Sequence, residues 1–184
     1  GRPATRNPAP IRELCDRAVG EVRQRLHDVV YGEGDDTFAG VVGRGLRTRG
    51  YTLAVAESCT GGLVGSMLTG EPGASEFLLA DAVTYANSAK TRLLGVSEEV
   101  IRGHGAVSGE VAAAMAEGVR RVSGADLALA LTGIAGPTGG TEDKPVGTVF
   151  VAVAGPKGTV VKQRRFHGDR KMVQTFAAYA GLHL

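Results

Sequence analysis

Short apolar runs that favour strands alternate with helical patterns between residues 52 and 132, and this alternation limits the possible folds more than any other feature of the chain. The strands are predicted over residues 52–57, 77–85 and 126–132, and the helices over residues 61–69, 88–94, 97–103 and 108–122. Such alternation is typical of α/β proteins whose strands run parallel.

The segments on either side complete the predicted architecture. Two β-branched runs, GTVFVAVAG and GTVVKQRRF, are joined by a Gly- and Pro-containing turn at 155–158, which is typical of a hairpin. Helices are also predicted over residues 11–26, 37–49 and 169–182, with Asp36 or Thr37 and Asp169 as N-caps. We therefore expect an α/β fold, a three-layer α/β/α sandwich with a mixed sheet and helices on both of its faces.

Composition excludes several functional classes. Hydrophobic residues make up 43% of the 184, yet no apolar run approaches the length of a membrane span. The formal charge is only +2 and the basic residues are scattered, so we expect no direct binding of nucleic acid. Two cysteines and no secretory signal favour a reducing cytoplasm. Residues 1–10 carry three prolines and are predicted to be a flexible leader.

The sequence TLAVAESCTGG, residues 52–62, places polar and glycine residues between a strand and a helix. Backbone N–H groups at a helix start favour a phosphate, a carboxylate or a developing oxyanion. Ser58 is a candidate nucleophile there, although a serine in this position is commonly only a helix cap. Cys59 is an alternative nucleophile, because a helix start can lower the pKa of a thiol. Its place on the opposite side of an extended chain favours burial instead.

A nucleophilic serine needs a base, and the four histidines, His27, His104, His167 and His183, have no evident Asp partner that would complete a triad. Lys90 is the better candidate, because burial lowers the pKa of a lysine until it can accept a proton, although most lysines are solvated surface charges. Tyr85 could relay a proton or bind substrate, or simply pack. Asn87 and Ser88 are predicted to cap the following helix.

A second glycine-rich segment, LTGIAGPTGG at 131–140, follows the third strand. Its backbone N–H groups could surround an anion, although a flexible loop would have the same composition. It matches neither the P-loop nor the dinucleotide-binding pattern, and no group of residues has metal-ligand spacing. Arg170 at the start of the closing helix could clamp a phosphate with two N–H groups, or be an ordinary surface arginine.

Taken together, AESCTGG at 56–62, TYANSAK at 84–90, LTGIAGPTGGTEDKPVGTV at 131–149 and FHGDR at 166–170 resemble the CinA C-terminal domain family. Its members act as nicotinamide-nucleotide amidases, which convert nicotinamide mononucleotide to nicotinate mononucleotide and ammonia. The resemblance implies an enzyme without metal or other cofactor. It implies the substrate as the small-molecule partner, and a homodimer is plausible for a compact α/β domain of this kind.

The resemblance also implies roles for particular residues. Ser58 is expected to be the nucleophile and Lys90 its general base, with Tyr85 beside them. Backbone N–H groups of the 58–62 turn could hold the oxyanion, at about 3 kcal/mol per donor. The substrate-binding residues are expected to be Thr60, Gly61, Gly62, Thr132, Gly133, Gly136 and Arg170.

Residues 37–184 are expected to form the amidase domain, and residues 1–36 to be the end of a preceding domain that is missing here. An alternative is a non-catalytic nucleotide-binding or interaction module, as in CinA proteins linked to competence or DNA damage. Turnover of nicotinamide mononucleotide distinguishes the two hypotheses.

Overall fold

The structure, a computed structural model, describes residues 9–184, so the first eight residues of the expected leader lie outside it. The chain forms two compact units, Gly1–Asp36 and Thr37–Leu184. In the first unit, α1 (Ala9–Leu26) is followed by a 3-10 turn at His27–Val29. Pro10 belongs to the first turn of α1 rather than to a leader, because a helix does not need the N–H of its first residues.

A five-stranded mixed sheet with strand order β2-β1-β3-β4-β5 forms the centre of the second unit. The strands are β1 (Leu53–Glu57), β2 (Leu78–Val83), β3 (Leu127–Gly133), β4 (Thr148–Gly155) and β5 (Gly158–Arg165). Strand β1 runs parallel to β2 and β3, whereas β4 is antiparallel to both β3 and β5. The predicted parallel strands and the predicted hairpin are therefore confirmed.

Helices cover both faces of this sheet. They are α2 (Phe38–Arg49), α3 (Leu63–Thr69), α4 (Asn87–Leu94), α5 (Glu98–His104), α6 (Gly109–Ser123) and α7 (Arg170–His183). Helices α2, α3 and α7 share one apolar core, and α4, α5 and α6 share the other. The predicted α/β/α sandwich with a mixed sheet is confirmed. In the described part of the chain, every helix is too short or too polar to cross a membrane.

The two cores differ because alternate residues of a strand point to opposite faces. Leu53, Val55, Leu129, Leu131, Val149 and Val151 face α2, α3 and α7, whereas Ala54, Ala56, Ala128, Ala130, Ala152 and Ala154 face α6. The small alanine side chains let α6 lie close to the sheet. Gly118 of α6 also lies so close to α4 that an added Cβ would be 2.2 Å from the carbonyl oxygen of Leu94.

Helix starts follow the predicted caps in two places. The Thr37 hydroxyl accepts a hydrogen bond from Gly40 N at 2.9 Å, and the Asp169 carboxylate accepts one from Met172 N at 2.8 Å. The cap predicted for α4 is wrong, since its N-cap is Ala86 and no side chain bonds there. Helix α3 begins at Leu63 rather than at residue 61, because Gly61 and Gly62 have φ angles of 66° and 97°, outside the helical region.

The topology brings three strand ends together. Because β1, β2 and β3 are parallel, their carboxyl ends meet at one edge of the sheet, where ligands collect in α/β proteins. Ser58 follows β1, Tyr85 follows β2, and Thr132 is near the end of β3.

Candidate active site

A cavity of about 280 Å³ lies at this edge of the sheet. That volume is close to the lower end of small-molecule sites. Seven of the predicted site residues line it: Ser58, Tyr85, Lys90, Thr132, Gly133, Gly136 and Arg170. Together with Ala106 and Val107, they bring five separate segments of the chain around one space.

Ser58 and Lys90 form a direct pair in this cavity. The Lys90 side chain is 1% exposed, and its Nζ lies 3.0 Å from Ser58 Oγ. Two carbonyl oxygens also accept hydrogen bonds from Nζ, that of Thr84 at 2.6 Å and that of Tyr85 at 3.3 Å. Lys90 lies in the first turn of α4. The short connection between β2 and α4 therefore places the carbonyls of Thr84 and Tyr85 next to its amine.

Burial lowers the pKa of Lys90 from its ordinary value of 10.5, since the charged form loses hydration. A neutral amine has two N–H groups and one lone pair. The carbonyls of Thr84 and Tyr85 can only accept, so they take both N–H groups. The lone pair is then left for the Ser58 hydroxyl proton. This arrangement is suited to a lysine that acts as a general base for serine.

Cys59 is buried beside this pair. Burial raises the pKa of its thiol to about 12, so the thiol stays protonated at neutral pH. It therefore neither offsets the effect of burial on Lys90 nor supplies a nucleophile. Its carbonyl accepts a hydrogen bond from Gln174 Nε2 of α7 at 2.8 Å, and its residue is 4% exposed. The geometry agrees with a packing role.

Thr132 holds a wall of the cavity in place. Its residue is 1% exposed, and its Oγ1 donates a hydrogen bond to the Ala106 carbonyl at 2.8 Å. Ala106 and Val107, which connect α5 to α6, thereby line the cavity. No sequence pattern marks these two residues as part of a site, because their position depends on a contact with a strand 26 residues away along the chain.

Arg170 bridges two sides of the cavity. Its Nη1 donates to the carbonyl of Gly136 at 2.8 Å, and its Nη2 donates to the Tyr85 hydroxyl at 2.7 Å. The guanidinium has five N–H groups, so donors remain for a ligand. Tyr85 is 60% exposed and thus belongs to the rim rather than to the core.

The turn after Ser58 is closed by its own hydrogen bonds. Gly61 N donates to the Ser58 carbonyl at 3.2 Å, and Gly62 N donates to Glu57 Oε2 at 2.9 Å. These two amides are therefore occupied, so the expected oxyanion site in the 58–62 turn does not extend to them. Thr60, Gly61 and Gly62 line a separate depression together with Lys171.

The second glycine-rich segment, residues 131–140, has backbone N–H groups that are free to bind a ligand. Within residues 9–184, no group accepts a hydrogen bond from the backbone N–H of Ala135, Gly136 or Gly139, and all three residues line the cavity. Gly136 has a φ of 85°, and an added Cβ would lie 2.6 Å from Val146 Cγ1. Glycine is thus required at Gly136 both for its backbone conformation and for space.

Asn87 is a wall residue that the sequence interpretation assigned to helix capping. It is exposed, and its side chain has no hydrogen-bond partner among the described residues. None of the described residues that line the cavity is a histidine. His104 pairs with Glu110 at 3.3 Å instead. No group of three or more possible ligand residues in that part of the chain could hold a metal ion.

Comparison with known proteins gives a consistent result. The model of the CinA C-terminal domain family matches residues 35–184. A CinA-like protein of Geotalea uraniireducens is 49% identical over 95% of this chain, and one of Anaeromyxobacter sp. strain K is 53% identical over its whole length. The chain covers 41% and 43% of those two proteins, so it spans about two fifths of their length.

Solved structures of similar proteins share the fold. The competence damage-inducible protein A of Klebsiella pneumoniae is 36% identical, with a TM-score of 0.77 over 79% of this chain and 91% of that one. A competence-damaged protein superfamily member from Escherichia coli is 32% identical, with a TM-score of 0.77 over 88% and 95% of the two chains. The chain therefore belongs to the CinA C-terminal domain family.

Proposed function

We propose that this domain hydrolyses the carboxamide of nicotinamide mononucleotide to nicotinate mononucleotide and ammonia. The observation that carries the proposal is the 3.0 Å contact between Ser58 Oγ and the buried Lys90 amine. It is supported by the burial of Lys90, which lowers the pKa of its amine below 10.5 and so favours the neutral form that can act as a base. The substrate itself follows from the family resemblance.

In the first half of the reaction, Ser58 Oγ attacks the carboxamide carbon and its proton passes to Lys90 Nζ. The carbonyl oxygen becomes an oxyanion, and free backbone N–H groups on the cavity wall would stabilise it. The C–N bond then breaks, and the Lys90 ammonium gives its proton to the leaving nitrogen. Ammonia departs and leaves an ester between Ser58 and the nicotinate carbonyl.

In the second half, water attacks this ester while Lys90 accepts one of its protons. The ester C–O bond breaks, and the same proton returns to Ser58 Oγ. The products are nicotinate mononucleotide and the original enzyme. Both halves use one base, and no cofactor enters the balance of atoms.

The substrate phosphate needs donors away from the dyad. Arg170, whose remaining N–H groups are free for a ligand, is one candidate. The free amides of Ala135, Gly136 and Gly139 are the other. We propose that these two sets together hold the phosphate and the oxyanion.

The test is ammonia release from nicotinamide mononucleotide by the purified protein and its variants. Ser58→Ala and Lys90→Met should each lower kcat at least about a thousandfold, because removing one member of a nucleophile–base pair disables the other. Cys59→Ala should retain activity. Ser66→Ala on α3 and Lys157→Met in the hairpin turn are the matched controls, since both side chains are exposed.

Three outcomes separate the alternatives. Ammonia release that survives Ser58→Ala but disappears in Cys59→Ala would overturn the serine mechanism. Binding of the nucleotide without any turnover by the wild type would favour a non-catalytic module. Loss in Ser58→Ala and Lys90→Met alone supports the amidase.

Three wider expectations belong to the same proposal. We propose residues 37–184 as the amidase domain and residues 1–36 as the end of a preceding domain, consistent with relatives that are more than twice as long as the matched segment. We also propose a homodimer in the cytoplasm, where the exposed Cys15 and buried Cys59 would both stay reduced. Size-exclusion chromatography with light scattering tests the dimer.

A further inference from the structure

A buried carboxylate lies next to the nucleophile and takes no part in the steps above. Glu57, the last residue of β1, is 0% exposed. Its Oε2 accepts a hydrogen bond from Gly62 N at 2.9 Å, and its Oε1 accepts one from Gly65 N at 2.8 Å. Burial of a carboxylate is costly unless its oxygens are paired, so two such bonds account for how the residue is tolerated there.

These two bonds fix the shape of the turn that carries Ser58. The hydrogen bond from Gly62 N to the Glu57 side chain closes a loop that contains residues 58–61. The turn is also held by Gly61 N, which donates to the Ser58 carbonyl at 3.2 Å, and by Gln174, which donates to the Cys59 carbonyl at 2.8 Å. Glu57 supplies the only carboxylate among these contacts, and bonds to a charged acceptor are the stronger kind.

Asp81 on the edge strand β2 completes the arrangement. The residue is exposed, but its carboxyl group lies against α3, where an added Cβ on Gly65 would be 1.9 Å from Asp81 Oδ2. Burial of that carboxyl group, the charge of Glu57 and a hydrogen bond to Glu57 raise the pKa of Asp81 to about 7. Below that pH, Asp81 is protonated and its O–H group donates a hydrogen bond to the Glu57 carboxylate.

Few other ionisable groups surround this pair. Helix α3 contributes none, and Asp81 is the only one on β2. The charges of Lys90 and Arg170 act on the neighbouring Cys59 thiol, and Lys171 of α7 lines the depression beside Gly62 and Ser66. On α6, which packs on β1 from the other face, Glu110 pairs with His104.

We propose that Glu57 is a positioning residue, whose carboxylate clamps the segment from Ser58 to Gly65 so that Ser58 Oγ stays within reach of Lys90. The inference rests on the proposed function in taking Ser58 as the nucleophile. The clamp acts through two backbone amides and does not touch the substrate. Its effect is therefore on the placement of the hydroxyl group.

Glu57→Gln tests the clamp with almost no change in volume. The amide can accept at one oxygen only and presents an N–H group to a backbone N–H group, so one of the two bonds is lost. We expect kcat for ammonia release to fall about 10- to 100-fold, in line with a small displacement of a reacting group, while KM changes less than about threefold. Glu98→Gln on α5 is the matched control, because that side chain is exposed.

Two measurements do not depend on turnover. The rate at which a fluorophosphonate phosphonylates Ser58, with loss of fluoride, should fall about 10- to 100-fold in Glu57→Gln. Amide hydrogen exchange at Gly62 and Gly65 should accelerate at least tenfold. An unchanged labelling rate together with unchanged exchange would overturn the clamp. If the wild type releases no ammonia but both rates change as expected, the proposed function fails and the clamp stands.

Asp81→Asn provides a second test should Glu57→Gln fail to fold. In the wild type, the NMR signals of the Gly62 and Gly65 amide protons should shift with pH, with a midpoint near pH 7. The reason is that both amides donate to Glu57, which also accepts a hydrogen bond from protonated Asp81. Asparagine keeps a donor to Glu57 but does not titrate, so the midpoint should disappear. A midpoint near pH 7 that persists in Asp81→Asn, or is missing from the wild type, contradicts the pairing.

Discussion

The two glycine-rich segments of this domain look alike in sequence and differ in what their amides do. In the turn after β1, Gly61, Gly62 and Gly65 donate to the Ser58 carbonyl and to the Glu57 carboxylate. In the loop after β3, Gly136 and Gly139 donate to no described group and line the cavity. We propose that the first segment positions a side chain and that the second offers its backbone N–H groups to a ligand.

The difference shows why glycine content alone does not identify an anion site. Both segments follow a strand at the same edge of the sheet, and both contain left-handed glycines. In the first, the Glu57 carboxylate occupies the amides of Gly62 and Gly65, and the Ser58 carbonyl occupies that of Gly61. The availability of an N–H group, rather than its proximity to a glycine, decides whether it can bind a substrate.

Among substitutions that test the difference between the two glycine-rich segments, the largest effect is expected in the loop after β3. Gly136→Ala should lower kcat/KM at least about a hundredfold, because its φ of 85° disfavours alanine and the new Cβ would lie 2.6 Å from Val146 Cγ1. Ammonia release from nicotinamide mononucleotide measures it, with circular dichroism as the check on folding. Activity within threefold of wild type in a folded variant would remove the loop from the site.

The acid limb of the pH profile should report Lys90. Log kcat/KM should rise with pH by about one unit per pH unit and level off below 10.5, the ordinary pKa of lysine, since burial lowers the pKa of Lys90. A limb that rises up to pH 10.5 would contradict a neutral Lys90.

The same group should affect stability. Between the lowered pKa of Lys90 and 10.5, the unfolded chain binds the proton that the folded protein has lost. The free energy of unfolding should therefore rise with pH over that interval. Urea titrations at several pH values should show that Lys90→Met loses this rise, whereas Lys157→Met retains it.

A smaller effect on activity is expected at Cys59, which lies in the turn after β1. Cys59→Ala should destabilise the fold by about 1–2 kcal/mol, since it removes a buried sulfur atom, and should keep kcat within about threefold. At pH 8 iodoacetamide should modify the exposed Cys15 but not Cys59, whose pKa of about 12 leaves only about one thiolate in ten thousand. Mass spectrometry of the alkylated protein measures this, and rapid alkylation of Cys59 in the folded protein would contradict it.

The smallest effect is expected at Gly61, the counterpart of Gly136 in the occupied turn. An added Cβ meets no atom within 4 Å, so Gly61→Ala has only the cost of its φ of 66°. We expect a loss of about 1 kcal/mol in stability and little change in kcat/KM. A hundredfold loss in a folded variant would put the two segments in the same role.

Most of the architecture could be predicted from the sequence because it depends on local patterns. The apolar runs of β1 and β3 and the caps at Thr37 and Asp169 each involve residues a few positions apart. The strand predicted to reach Tyr85 ends at Val83 instead. The carbonyl of Tyr85 accepts a hydrogen bond from Lys90 Nζ instead of pairing in the sheet.

The site was predicted less completely because its details depend on contacts between distant segments. Glu57 appeared as one polar residue of a turn, and nothing in the sequence indicates that its oxygens take the amides of Gly62 and Gly65. Asn87 appeared to be a cap until the structure placed it on the cavity wall. The roles of Ser58 and Lys90 came from the family resemblance, and the residues alone left them open.

The two carbonyls that hold Lys90 have a consequence for how this site can be altered. Side-chain substitutions at Thr84 and Tyr85 leave their carbonyl oxygens in place, so the amine keeps both acceptors through many sequence changes. In the mechanism that we propose, the rim of the cavity could therefore be varied while Lys90 keeps the acceptors that hold it. Libraries built at Tyr85 and Asn87 would explore new substrates with little risk to the proton-transfer step.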